Sequence, residues 1–195
     1  GRTEYYHVAN SHLNRVIDDR EGLPITLSIL YLELARRLDL KVEGVGLPGH
    51  FVVKHIVDED QEQLVDVFEK GRLLSRDDAA AIVASYARRR ITQHDLRSQS
   101  VVEILSRVVN NLIGIANESQ DIEAINRYCE ALVAVNPDSA ETRMMRAQIR
   151  AISDRKPGAI EDLDWLIDND PPGLDRRQTQ QIRDTLLERQ QRQTK

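Results

Sequence analysis

His50 and Asp66 are the two side chains best placed to do chemistry. They stand sixteen residues apart, with the turn-forming run Val57-Asp58-Glu59-Asp60 between them. If the flanking segments pair as an antiparallel hairpin turning at residue 58, both side chains come to opposite or neighbouring places on one face. A carboxylate beside one imidazole nitrogen fixes the tautomer and stabilises the imidazolium, as a general base requires. The structural alternative is that His50 simply follows the Pro48-Gly49 turn while Asp66 satisfies a buried donor.

A base needs a nucleophile, and a helix N-terminus is where one would gain most. Free amide hydrogens and the helix dipole lower a thiol pKa there and can hold an oxyanion. The run Gly22-Leu23-Pro24-Ile25-Thr26-Leu27-Ser28 starts such a helix and carries no thiol. Its only hydroxyls are Thr26 and Ser28, whose intrinsic pKa is too high for a dipole alone to ionise, so either would depend on His50 as base. Otherwise both hydroxyls bond to nearby backbone within the helix. Leu23, Pro24 and Gly49 are expected to line the cleft beside these groups.

No other residues form a recognised constellation. His7 and His12 are five apart, off a common helical face, and no His-Glu-x-x-His or paired-cysteine spacing occurs. No metal and no cofactor is expected. The single cysteine, Cys129, falls mid-helix on an apolar face and reads as a small buried hydrophobe. Asp162, Asp164, Asp168 and Asp170 around Trp165 read as an acidic edge, a solvated face that could also receive a basic peptide.

Several elements must position the pair. Asn10 and Ser11 are good caps for a short helix over His12–Asp19, with Leu13, Val16 and Ile17 on one face. Pro24 suits the first turn of an apolar helix over Ile25–Leu38, which reads as buried on most sides. Val42–Val45, Phe51–Val57 and Gln63–Phe68 read as strands of a small antiparallel sheet. Ser75 caps a further helix that runs to Ser85.

From about Ser98 no strand pattern remains, and helices are expected over 98–118, 121–135, 138–154, 157–169 and 174–192. Asn136-Pro137 and Asp170-Pro171 recur 34 residues apart, the tetratricopeptide period. Taking each proline as repeat position 32 puts Ala147, Ala159 and Leu163 at the small, small and bulky core positions. Ile113, Ile125 and Cys129 take those places in a more degenerate earlier repeat. An irregular bundle with two helix-ending prolines is the plainer alternative.

Composition narrows the function classes. The 195 residues are 41% hydrophobic, enough for a core. A net charge of −5 carries no nucleic-acid signature, and Arg88-Arg89-Arg90 and Arg176-Arg177 are short enough to be solvated helix ends. No apolar run approaches the roughly 20 residues of a membrane helix, so no membrane partner is expected. One cysteine rules out an intrachain disulfide and suits a reducing, cytoplasmic setting. The abrupt apolar start around Tyr5 and Tyr6 suggests that Gly1 is a cloning remnant or the cut end of a longer chain.

The motifs Asn10-Ser11-x-Leu13-Asn14, Gly22-Leu23-Pro24-Ile25-x-Leu27-Ser28, Gly44-Val45-Gly46-x-Pro48-Gly49-His50-Phe51, Asp66-x-Phe68 and Gly71-Arg72-Leu73-Leu74-Ser75 together resemble bacterial transglutaminase-like proteins of the Sir B type. The resemblance implies an α+β, papain/transglutaminase-like core, a helix packed on a small antiparallel sheet. An all-α tetratricopeptide-like region follows it. The expected division is 1–95 for the core, N-terminally trimmed relative to the family, and 96–195 for the repeats. In active relatives of such a core the triad is cysteine, histidine and aspartate. His50 and Asp66 match its second and third members, while the cysteine position falls near Pro24 or Ile25.

The reading that follows is a cysteine-less, non-catalytic transglutaminase-like protein that binds a protein or peptide partner. The alternative is an acyl-transfer enzyme or hydrolase in which Thr26 or Ser28 attacks, His50 takes the proton and Asp66 orients His50. A third reading makes the helical region the working part and the first half its scaffold.

Overall fold

The computed structural model describes residues 7–58 and 61–193. Tyr5 and Tyr6, and Glu59 and Asp60 at the expected hairpin turn, lie outside the described residues. The chain divides into two compact units between Val108 and Val109, later than the change of composition near Ser98.

The first unit opens with a 3-10 turn over Val8–Ser11, then α1 (Leu13–Asp19) and α2 (Pro24–Arg37). Asn10 and Ser11 do not cap α1. Both are buried in the 3-10 turn, and His12 takes the cap position without a side-chain bond. The reason lies in the backbone: the Asn10 carbonyl accepts from the Leu23 amide and from the Thr26 hydroxyl, which ties the turn to the start of α2. Only Val16 of the expected α1 face is buried, and Ile17 is exposed. Likewise α2 is not buried on most sides. Leu34 and Leu38 stand 60% and 70% exposed, because a four-stranded sheet offers the helix only one face to cover.

The sheet is an antiparallel meander of β1 (Val42–Val45), β2 (Val52–Ile56), β3 (Glu62–Asp66) and β4 (Arg72–Leu74), in that spatial order. Three-residue β4 is too short to show a period in the sequence. Val53 faces Val65 and Ile56 faces Glu62, so the β2–β3 hairpin is centred on position 59. Ser75 caps α3 (Arg76–Ala87) by accepting the Asp78 amide, while Asp78 bonds back to the Ser75 amide, a reciprocal capping box.

Successive strand residues point to opposite faces, and two apolar clusters mark those faces. Val45, Val52, Leu64 and Leu74 pack with Ala79 and Val83 of α3. Phe51 packs with Leu23 and Ile25 at the start of α2, joined by Ile104 and Val108 of α4 (Val101–Glu118). The sheet therefore carries α3 on one face and α2 on the other.

The second unit continues from the latter part of α4 through α5 (Ile122–Val135), α6 (Ala140–Ile152), α7 (Lys156–Asn169) and α8 (Arg176–Gln193). Asp121 and Ser139 cap α5 and α6 through the amides of Ala124 and Thr142. The core residues that the period singles out are where it places them. Ala147, Ala159 and Leu163 are buried together with Leu166 and Leu186, and Ile125 and Cys129 are buried beside half-buried Ile113. An ion network accompanies that apolar packing: Arg143, Arg146 and Arg150 of α6 all reach the carboxylate of Asp162, which is 1% exposed.

Candidate functional site: the His50–Asp66 pair

The structure brings His50 and Asp66 together. His50 Nε2 lies 2.8 Å from Asp66 Oδ2, and both side chains are largely buried. They are diagonal neighbours rather than directly opposed. With the hairpin centred one residue later than a turn at 58 would put it, the residue level with His50 is Phe68, whose ring meets the imidazole edge-on at 6.2 Å. Asp66 also accepts the Glu69 amide at 3.1 Å. Burial pushes its carboxyl pKa up, but the bonds from His50 and from the Glu69 and Phe68 amides outweigh that and hold it below the usual carboxylate range.

Two contacts that the sequence does not announce fix the turn bearing His50. Arg107 donates to the backbone carbonyls of Leu47 and of His50, the latter at 2.9 Å. Gly49 holds φ at +69°, and a Cβ there would lie 2.2 Å from the Tyr86 ring. Only glycine satisfies both conditions. Arg107 is 57 residues from His50 and Tyr86 is 37 residues from Gly49, so neither partnership leaves a local signal.

The hydroxyls of α2 are placed differently. Thr26 Oγ1 accepts the Leu23 amide at 2.9 Å and donates to the Asn10 carbonyl at 2.8 Å. It is the N-terminal staple of α2, fully buried. Ser28 is also fully buried, and its Oγ has no hydrogen-bond partner among the described residues. Neither hydroxyl bonds to His50, whose Nε2 partner is Asp66. Leu23 and Pro24 are buried at the start of α2, and Leu23 belongs to the Phe51 cluster. The cavity beside the pair, of about 380 Å³, is lined by His50 and Asp66 together with Glu69, Arg72, Asp78 and Tyr86. It opens on the α3 face, away from the face that α2 covers.

Elsewhere, burial pushes the Cys129 thiol up to about 11, so it is protonated and unreactive at neutral pH. His55 bonds to the Tyr31 hydroxyl at 2.7 Å. Among the described residues no three histidine, cysteine or acidic side chains come together as a metal site requires, and no helix is long and apolar enough to cross a membrane. Of the expected acidic edge, Asp168 and Asp170 are exposed, Asp164 faces Arg183 at 3.3 Å, and Asp162 is instead buried among arginines, while Arg143 stacks on Trp165 at 4.2 Å.

Comparison with known proteins agrees with this architecture. A model of the transglutaminase-like superfamily matches residues 1–110. The chain belongs to that superfamily. A tetratricopeptide-repeat model matches residues 112–186. Among curated relatives, a UPF0162 protein of Xylella fastidiosa is 28% identical over 169 residues, covering 82% of this chain and 58% of its own. UPF0162 protein YchA of Escherichia coli is 24% identical over 172 residues, 82% of this chain and 60% of its own. F-box only protein 21 of Mus musculus is 25% identical over 158 residues, 76% of this chain and 25% of its own. The chain thus spans between a quarter and three fifths of the relatives it matches. No solved structure matches it.

Proposed function

We propose that this chain is a non-catalytic transglutaminase-like protein of the Sir B type, a cytoplasmic module that binds a protein or peptide partner. One observation carries the reading. The hydroxyl best placed on α2, Thr26, is consumed as a buried staple between Leu23 and Asn10, while the His50–Asp66 pair belongs to the opposite face of the sheet. A base can act only on a proton within hydrogen-bond reach. The one thiol, Cys129, is buried and held protonated. His50 and Asp66 then serve the fold, closing the β2–β3 hairpin. The polar cavity beside them offers a place for a small polar group or a partner's side chain. The tetratricopeptide match supports the binding role, since such repeats stack into extended surfaces for partners. Recurrence of the same stretch in bacterial proteins and within a much longer mammalian protein supports a module used in several settings.

The test is turnover. Purified chain is given p-nitrophenyl acetate, and separately a glutamine peptide with a primary amine. Release of p-nitrophenol and of ammonia is expected to equal that of the His50→Ala protein. Wild-type turnover that disappears in His50→Ala would instead establish acyl transfer.

A further inference from the structure

The first unit carries an apolar groove that shares no residue with the cavity beside His50 and Asp66. It runs between α2 and the first turns of α4, with a volume of about 310 Å³. Ile29 and Ile104 form its floor, since both pack on the buried cluster of Leu23, Ile25 and Phe51. Val101 and Leu105 form a wall that stands 72% and 43% exposed. Leu32 completes the apolar lining, and Glu33 and Arg36 are its polar members. Large apolar side chains left in water beside a hollow, with a few polar groups at one end, are the usual make-up of a binding site.

The dimensions limit the occupant. Ile29 and Arg36 are seven residues apart on α2. That is about 10 Å of groove at 1.5 Å per residue, which for the volume found leaves a cross-section of about 30 Å², roughly 6 Å wide. A helix, about 10 Å across, is too wide. An extended peptide would lay its main chain along five apolar side chains and leave polar groups unpaired. A stable protein interface takes about 20–30 residues a side, far more than line this groove. An alkyl chain, with about 4 Å between its carbons and those of the walls, does fit. At about 1.25 Å per carbon, the groove holds about eight carbons.

The charged end sets the head group. Arg36 and Arg37 share Glu33, whose carboxylate accepts three N–H bonds from them at 2.8–2.9 Å. Those bonds hold Glu33 ionised, its pKa pushed down to about 2. The last turn of α2 therefore sets two cations against one anion. Each guanidinium has five N–H donors, so most remain unspent.

The geometry points to a binding site for a medium-chain fatty-acid anion. Its alkyl chain lies over Ile29 and Ile104 against Val101 and Leu105. Its carboxylate accepts from Arg36, with the Arg37 charge beside it. Such a site adds a small-molecule ligand to the binding-module reading and does not depend on it.

The test is an amide NMR titration of the full chain with sodium octanoate. Saturable shifts are expected over residues 29–36 and 101–105. Butanoate, four methylenes shorter, is expected to bind at least tenfold more weakly, roughly what the lost apolar burial implies. Octylammonium is expected to bind about fivefold more weakly than octanoate, as is octanoate to the Arg36→Gln, Arg37→Gln protein. The matched control Arg127→Gln, Arg177→Gln removes the same charge outside the groove and is expected to bind as wild type does. Leu105→Gln puts an amide in the exposed wall and is expected to weaken binding about tenfold. Leu34→Gln, at a leucine 60% exposed outside the groove, is expected to change nothing. The proposal is overturned by absence of saturable binding, by equal affinity for octylammonium, or by wild-type affinity in Leu105→Gln. It is equally overturned by shifts spread over Leu38, Val57 and Leu73, which would mean that octanoate coats exposed apolar surface as a detergent does. None of these results bears on turnover, so failure here and failure of the non-catalytic reading are told apart.

Discussion

Asp66 Oδ2 holds His50 Nε2 at 2.8 Å on the face of the sheet that carries α3, while Nδ1 of the same imidazole has no hydrogen-bond partner among the described residues. A catalytic dyad and a structural clasp share this geometry. What separates them is whether anything stands within reach of Nδ1, and neither hydroxyl of α2 bonds there. The clasp has measurable consequences.

The Asp66 carboxyl titrates below its ordinary range in the folded chain. Between its folded pKa and the unfolded value near 4, the unfolded chain binds the proton and the folded chain does not. The carboxylate's contribution to stability is therefore fully present above about pH 4 and lost as pH falls through the folded pKa. In urea titrations at several pH values, the stability gap between wild type and Asp66→Asn is expected to be widest near neutrality and to close in acid. A gap independent of pH would contradict the assignment.

Thr26 is expected to behave as a structural residue. Thr26→Val keeps the shape and strips the hydroxyl from two buried backbone partners, Leu23 N–H and the Asn10 carbonyl. The expected loss is about 1–3 kcal/mol, whereas Thr26→Ser, which keeps the oxygen, costs less. Chemical denaturation reads both. Equal stability of the valine variant would mean that the staple does not form.

In the second unit, Asp162 is the shared anion of three arginines, which stand at 12–16% side-chain exposure. Asp162→Asn removes the charge and leaves guanidinium groups partly buried without it. Breaking a buried ion pair costs about 3–5 kcal/mol. A midpoint in guanidinium chloride within error of wild type would show that Glu130, which pairs with Arg146 and Arg150, suffices without Asp162.

Cys129, buried and with its thiol pushed up to about 11, is expected to react with an aromatic disulfide reagent only as fast as the chain opens. Adding denaturant should raise the labelling rate steeply. Fast labelling under native conditions would place the thiol at the surface.

Much of this fold was legible in the sequence because its signals are local. Pro24 after Gly22-Leu23 starts α2, Ser75 with Asp78 starts α3, and the two Pro-marked breaks 34 residues apart give the repeat core around Ala147, Ala159 and Leu163. The proximity of His50 and Asp66 was legible too, since a hairpin brings residues on either side of its turn together whether it centres on 58 or 59. What escaped depends on distant partners. The burial of Asp162 needs three arginines from the preceding helix. The exposure of Leu34 depends on how narrow the sheet is. The separation of Thr26 from His50 depends on which face each cluster takes, and Phe51 and Val52 decide that by strand alternation rather than by composition.

Covalent labelling decides whether a hydroxyl of α2 acts with His50. The full chain is treated with a fluorophosphonate and with a thiol-reactive acylating probe, and adducts are mapped by mass spectrometry. No adduct is expected at Thr26 or Ser28. An adduct at either residue that disappears in His50→Ala would contradict the non-catalytic reading and make this chain an acyl-transfer enzyme.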